Sequence, residues 1–147
     1  MGNKSKTGTK TGMDKVREVS DHVNTILRYV PYVQTNFVLG LDGESGAEPF
    51  ELTKRFIDST PGAFPGYSLL SAFGRAAPVN LEYQRADRVL PFPFHFLDNN
   101  HAMNVKPQNY GWTDFYDRVI DLHEIFVLAA RYLAALHWRR SRRSRAG

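Results

Sequence analysis

Cysteine is absent from this 147-residue chain. That absence excludes a disulfide framework, a thiolate zinc site, a cysteine nucleophile and any cysteine-ligated iron–sulfur cluster. Long hydrophobic runs are absent as well. No stretch approaches the roughly 18–20 apolar residues of a membrane span, and Met1 to Met13 lacks the apolar segment of a secretory signal. The cytoplasm is the expected compartment. A charged face is also missing. The chain carries 19 Lys and Arg against 15 Asp and Glu, a formal net charge of +4. Arg139, Arg140, Arg142, Arg143 and Arg145 crowd its end, however, and the rest is nearly neutral. A nucleic-acid binder would show a basic face rather than a basic end, so nucleic acid is not an expected partner.

What is there suffices for one domain, since 42% of the residues are hydrophobic, enough to build a core at this length. Residues 1–12 are Lys, Thr, Ser and Gly with scarcely an apolar side chain and read as a flexible lead-in. Val16, Val19, Val23, Ile26, Leu27 and Val30 recur at spacings of three and four until Pro31, which predicts an amphipathic helix over Met13 to Val30. The period then changes. Tyr32 to Leu41 is β-branched and aromatic with an almost continuous apolar run, as expected of a strand buried on both faces in a parallel sheet. A Gly-rich acidic turn, Asp42 to Glu48, leads to Pro49, which suits a first helical turn, and a helix is expected to Ser59. A second strand is expected over Tyr67 to Phe73, and a short helix over Pro78 to Ala86. Arg88 to Gly111, with Pro91, Pro93 and Pro107, cannot be regular. A last helix runs from about Thr113, a candidate N-cap, to His137 or beyond.

Helix, strand, helix, strand is the order of right-handed βαβ units on a parallel sheet. The fold class is therefore α/β: a partial βα barrel of about two parallel strands with flanking helices, then an irregular segment and a C-terminal helix. A full barrel takes about eight units and over 200 residues, so the architecture reads as incomplete. The expected divisions are a barrel segment over 13–87, an extension with the last helix over 88–138, and a basic tail over 139–147.

Few motifs carry chemistry. Gly8-Thr-Lys-Thr-Gly12 does not fit G-x4-G-K-[ST] and follows no strand. Gly40, Gly43 and Gly46 lie between a strand and a helix, where amides could cradle an anion, but equally form a tight turn. His22, His95, His101, His123 and His137 show no paired ligand spacing, so no metal site is expected. His95 and His101 flank a polar knot, Leu97 to Asn100, read as a self-bonded loop. Asp42, Glu44 and Glu48 sit where an acid–base residue of an α/β protein would sit, although helix N-termini also favour acids for their dipole. In open α/β layers ligands meet the carboxyl ends of strands. The candidate ligand-facing residues are accordingly Asn36, Gly40, Asp42, Ser71 and Phe73, with Asn36 notable because an amide in an apolar strand needs a partner.

The run TNFVLGLDGESGAEPFELTKRFID (Thr35 to Asp58) resembles the strand, turn and helix in the second half of the barrel of radical S-adenosylmethionine proteins. There an apolar strand precedes G-[LF]-P-G-E-T. Gly40-Leu41 matches, Asp42 replaces the proline, and Gly43-Glu44-Ser45 stands for Gly-Glu-Thr. SLLSAFGRAAPVNLEY (Ser68 to Tyr83) is similar to the family's following strand and loop, with Gly74 to Pro78 in place of the usual Pro-Gly-Thr. Gly2 to Gly8 looks like the stretch after the preceding strand. Arg88 to Leu122, including FHFLDNNHAMNVKP, resembles the extension of the subgroup that often has a cobalamin-binding domain upstream. The resemblance covers about Gly2 to Leu122.

It implies a C-terminal part of a radical enzyme that helps line the S-adenosylmethionine and substrate pocket. The family's C-x3-C-x2-C, which holds a four-iron four-sulfur cluster, has no counterpart here. This chain should bind no cofactor alone, with S-adenosylmethionine and the cluster implied for the whole protein and cobalamin left open. Its implied partner is the other half of the barrel, from the same or a neighbouring gene; truncation, gene splitting or a misplaced start codon would each yield such a chain. The alternative is a non-enzymatic interaction protein that uses the aromatic segment, the last helix and the basic tail. On the fragment reading, unpaired strand edges should make the isolated chain prone to aggregation, whereas cooperative unfolding of a soluble monomer would favour the interaction-protein alternative.

Overall fold

The apolar stripe that predicts the first helix folds as expected at its start. In a computed structural model that describes residues 12–72, 78–91, 93 and 102–144, α1 spans Gly12–Ile26. Val23 and Ser20 are buried on it, with Val16 and Leu27 packed alongside. The expected end at Val30 comes four residues too late. The helix gives way to a hydrogen-bonded turn in which the Tyr29 and Val30 amides both donate to Ile26 O, because the residue before Pro31 is disfavoured in helical geometry.

The strands β1 (Gln34–Leu39) and β2 (Phe64–Leu69) form a parallel pair, with Gln34 opposite Phe64 and Leu39 opposite Leu69. Between them α2 covers Glu48–Ser59, with Pro49 in its first turn and Phe50, Thr53, Phe56 and Ile57 buried. The expected α/β class and the parallel arrangement are thus present. The second strand, expected over Tyr67 to Phe73, instead starts three residues earlier and ends at Leu69. Pro65 does not prevent this. Phe64 N donates to Val33 O and Leu70 N to Leu39 O, so by strand alternation the even-numbered residues of β2 bond to β1 and Pro65 lies on the parity that needs no N–H there.

The expectation that β1 is buried on both faces is corrected by the structure. Thr35, Phe37 and Leu39 turn inward, whereas Gln34, Asn36 and Val38 are exposed. The reason is that, among the described residues, the core lies on one side of the sheet. Phe37 meets Phe56 of α2 at 5.4 Å and Phe126 at 6.0 Å, while Tyr67 meets Phe126 at 5.0 Å, all steeply tilted or edge-on. Each such ring pair adds about 0.5–1.5 kcal/mol beyond its buried area. Phe126 belongs to α4, Trp112–Ser144, whose Phe115, Val119, Leu122, Phe126 and Leu133 recur at helical spacing and are buried.

A short α3, Pro78–Arg85, matches the expected helix. It ends with Asp87 in a left-handed conformation (φ 53). The Arg88 amide reaches Tyr83 O, and Asp87 N reaches Gln84 O, the paired bonds of a Schellman closure. Within the stretch expected to be irregular, Val89 and Val105 form an isolated antiparallel bridge, flanked by Leu90 N to Asn104 O and Lys106 N to Arg88 O. Thr113 is not the cap, since α4 already includes Trp112 and the Phe115 amide bonds Gly111 O. The helix runs past His137 through Ser144.

Candidate functional site

The carboxyl ends of the two parallel strands open on the same side, and the β1–α2 loop there is held from several directions. Gly40 closes β1 with φ +90, a value that costs side-chain-bearing residues dearly. A Cβ there would stand 3.2 Å from both Met103 Cε and Phe115 Cζ. The Gly40 and Leu41 amides donate to Glu44 Oε2 at 2.8 and 3.2 Å. Burial pushes the Glu44 carboxyl above its ordinary range, against the opposing pull of those two amides.

Asp42 receives a two-pronged ion pair from Arg88, at 2.9 Å from Nη1 and 2.7 Å from Nη2. Asp42 holds the Arg88 guanidinium more firmly protonated by this bond. The same guanidinium donates to Lys106 O through Nε and Nη2 and lies over the Tyr83 ring. Asn109 Nδ2 donates to the main-chain oxygens of Asp42 and Glu44 at 2.9 and 2.8 Å, and Tyr110 Oη donates to Gly46 O. The loop is therefore braced by residues 88 and 104–110. Asp42 commits both carboxylate oxygens to Arg88, and Glu44 commits its Oε2 to the Gly40 and Leu41 amides, so each carboxylate has a structural role in the loop.

Of the five candidate residues, Gly40 and Asp42 come together in this loop, but Gly40 faces the aromatic core and Asp42 faces Arg88. Ser71, just past β2, donates to Leu69 O at 3.3 Å. Phe73 lies outside the described residues, as do His95 and His101. Asn36 stands apart from the loop, in mid-strand on the open face, where its Nδ2 donates to Ser68 Oγ at 3.3 Å. The partner that its amide required is thus a neighbouring strand.

That open face is the second part of the site, and only Asn36 of it was legible beforehand. Strand alternation sets Gln34, Asn36 and Val38 of β1 beside Phe64, Gly66 and Ser68 of β2. Gly66 leaves a gap: a Cβ would meet Asn36 Oδ1 at 3.3 Å and Gln34 Nε2 at 3.4 Å. The result is a shallow row of two amides and one hydroxyl, with Phe64 beside Gln34 at one end and Val38 beside Ser68 at the other. The amides and the hydroxyl can donate to and accept from a polar, neutral ligand surface, and no acid or histidine belongs to the row to activate the hydroxyl. The signal for it in the sequence is the period-2 recurrence of Gln34, Asn36, Gly66 and Ser68, which becomes informative only once the register is known.

No carboxylate–histidine cluster that could hold a metal exists among the described residues. His123 is engaged instead, its Nδ1 lying 2.9 Å from Tyr67 Oη. No helix among the described residues is long and apolar enough to cross a membrane. No family model matches the chain, and neither a curated protein nor a solved structure is significantly similar to it.

Proposed function

We propose that this chain supplies late βα units of a radical S-adenosylmethionine barrel, its open strand face forming part of the wall of the S-adenosylmethionine and substrate pocket. The observation that carries this reading is the one-sidedness of the sheet. A parallel sheet in a doubly wound protein is covered on both faces. A barrel covers only its outside and turns the other face toward its axis. Here, among the described residues, α1, α2 and α4 pack on the Phe37 and Tyr67 side, and the opposite side presents Gln34, Asn36, Val38, Phe64, Gly66 and Ser68. The two amides and the hydroxyl of that face suit a polar ligand better than the branched aliphatic layers that fill a dry barrel.

The two implied groups fit differently. A cluster does not fit these residues, because no thiolate exists to ligate it. The hydroxyls and amine of S-adenosylmethionine do suit the Gln34, Asn36 and Ser68 groups. Radical chemistry would therefore rest on a cysteine-bearing segment, encoded in the same gene or a neighbouring one, and cobalamin dependence would belong to that segment too. The test is co-expression with a polypeptide that carries C-x3-C-x2-C. The pair should co-purify, take up iron and sulfide anaerobically, and form 5′-deoxyadenosine with reductant, with Asn36→Leu weakening S-adenosylmethionine binding. A cluster bound by this chain alone, or no complex with any such partner, would overturn the proposal.

The alternative of a non-enzymatic interaction protein has one observation in its favour: Leu128 and Tyr132 of α4 are more than half exposed. Capture of a partner that survives Asn36→Leu and fails with Leu128→Glu would favour it.

A further inference from the structure

The outer edge of β1 is unpaired among the described residues. Because Val33 and Leu39 carbonyls bond to β2, alternation aims the main-chain N–H and C=O of Gln34, Asn36 and Val38 away from the sheet. Next to that edge, α1 and α2 enclose a groove of about 430 Å³ whose lining includes Val16, Val19, Thr35, Phe37, Leu52 and Phe56. Val19 is half exposed there, and Thr35 Oγ1 is buried without a hydrogen-bond partner. Directional main-chain groups on one side and an apolar cleft on the other are what an added strand satisfies together.

The direction of that strand follows from where the chain enters α1. Gly12 packs against Leu52 and close to Glu48, the first half of the helix that starts at the carboxyl end of β1. Helix α1 thus begins at the carboxyl end of the sheet and runs back to the amino end of β1, as α2 does between β1 and β2. In right-handed βαβ units such a helix lies over the strands on both sides of it, and for α1 the earlier of these is not found among the described residues. Residues 1–11 carry Met1 as their only apolar side chain, so their composition does not suit this groove.

We infer that the free edge of β1 is the docking site for a β-strand parallel to it, with aliphatic residues at alternate positions, supplied by the polypeptide that carries the earlier barrel strands. The inference rests on the proposed function for the identity of that polypeptide, but its physical content is independent of cluster or cofactor. The backbone of the guest bonds Gln34, Asn36 and Val38, and its aliphatic side chains fill the cleft against Val16, Val19 and Phe56.

The experiment fuses Val-Thr-Val-Thr-Val-Thr directly before Met1 of the full chain, leaving residues 1–11 as the connection into α1, and reads amide hydrogen exchange. The Gln34, Asn36 and Val38 amides should slow by about tenfold or more, with a higher unfolding midpoint. Val38→Pro in the fused chain should abolish this while leaving the β1–β2 ladder intact, since Val38 N–H faces outward; Gln34→Pro serves if Val38→Pro fails to fold. A folded fusion without protection would overturn the inference. So would concentration-dependent protection of the same amides in the unfused chain, which would make a second copy the occupant. If radical chemistry fails in the co-expression test but the fusion is protected, the docking edge stands and the enzyme assignment falls.

Discussion

Asn104 offers the sharpest test of how this fold is held at the carboxyl end of its strands. It is 1% exposed, as is Ala72, the residue that follows β2 by three positions. Its Oδ1 accepts from Ala72 N at 2.8 Å and its Nδ2 donates to Ala72 O at 2.9 Å. One side chain thus serves both main-chain groups of a residue that no strand pairs among the described residues. In Asn104→Ala both groups lose their partner in a buried place, at about 1–3 kcal/mol each. A water entering the vacated space would re-pair one of them, so the expected loss is about 2–4 kcal/mol. With a urea slope of about 2 kcal/mol/M, the midpoint should fall by about 1–2 M with the slope unchanged. Asn104→Asp separates the two bonds. The carboxylate still accepts from Ala72 N but opposes Ala72 O, whereas the protonated acid restores a donor. Burial and that carbonyl raise the folded-state pKa of the new acid, so its stability is greatest at acid pH and is lost as pH rises through the raised value. An Asn104→Ala protein within about 0.5 kcal/mol of the parent, or an Asn104→Asp protein no worse at pH 7 than at pH 4, would refute the reasoning.

Glu44 is raised above 4.5 by burial, so the folded state holds its proton more tightly than the unfolded chain. Its contribution is complete below about pH 4.5 and is lost as pH rises through the folded value. Glu44→Gln should therefore flatten the pH dependence of the unfolding midpoint over that window while keeping an acceptor for the Gly40 amide, and Glu44→Ala should lower the midpoint at every pH. Gly40→Ala should cost about 1–3 kcal/mol in backbone strain, with crowding of Met103 and Phe115 in addition, as read by denaturant titration. Arg88→Lys keeps the charge but loses the fork that spans Asp42 and Lys106 O; limited proteolysis should then cut the 40–46 loop faster. Finally, anaerobic iron and sulfide should leave the purified chain without the broad visible absorption of a cluster, and no 5′-deoxyadenosine should form from the chain alone.

The amino-acid sequence by itself determined the chemistry that this chain cannot perform, because cysteine content is independent of conformation. It also determined the parallel α/β order, since Val16, Val23 and Leu27 keep a helical period while Phe37 to Leu39 do not. The position of β2 was not legible. Leu69 to Phe73 is the more apolar run, yet Phe64 to Leu69 makes the ladder, because the parity of Pro65 and the bond from Phe64 N to Val33 O are tertiary facts. Nor was the role of the loop carboxylates legible. Asp42 and Glu44 occupy positions where acids do chemistry, and only the return of Arg88 through a Schellman turn and of Asn109 from a distant segment engages them in bracing. The open face is the same kind of case. Asn36 stood out alone in the sequence, but its meaning depends on Ser68, 32 residues away, and on every described helix that packs on the sheet choosing the opposite side. Side-chain identity is local, whereas the face a strand residue presents is set by register and by what packs against it, and those two are decided only when the chain is folded.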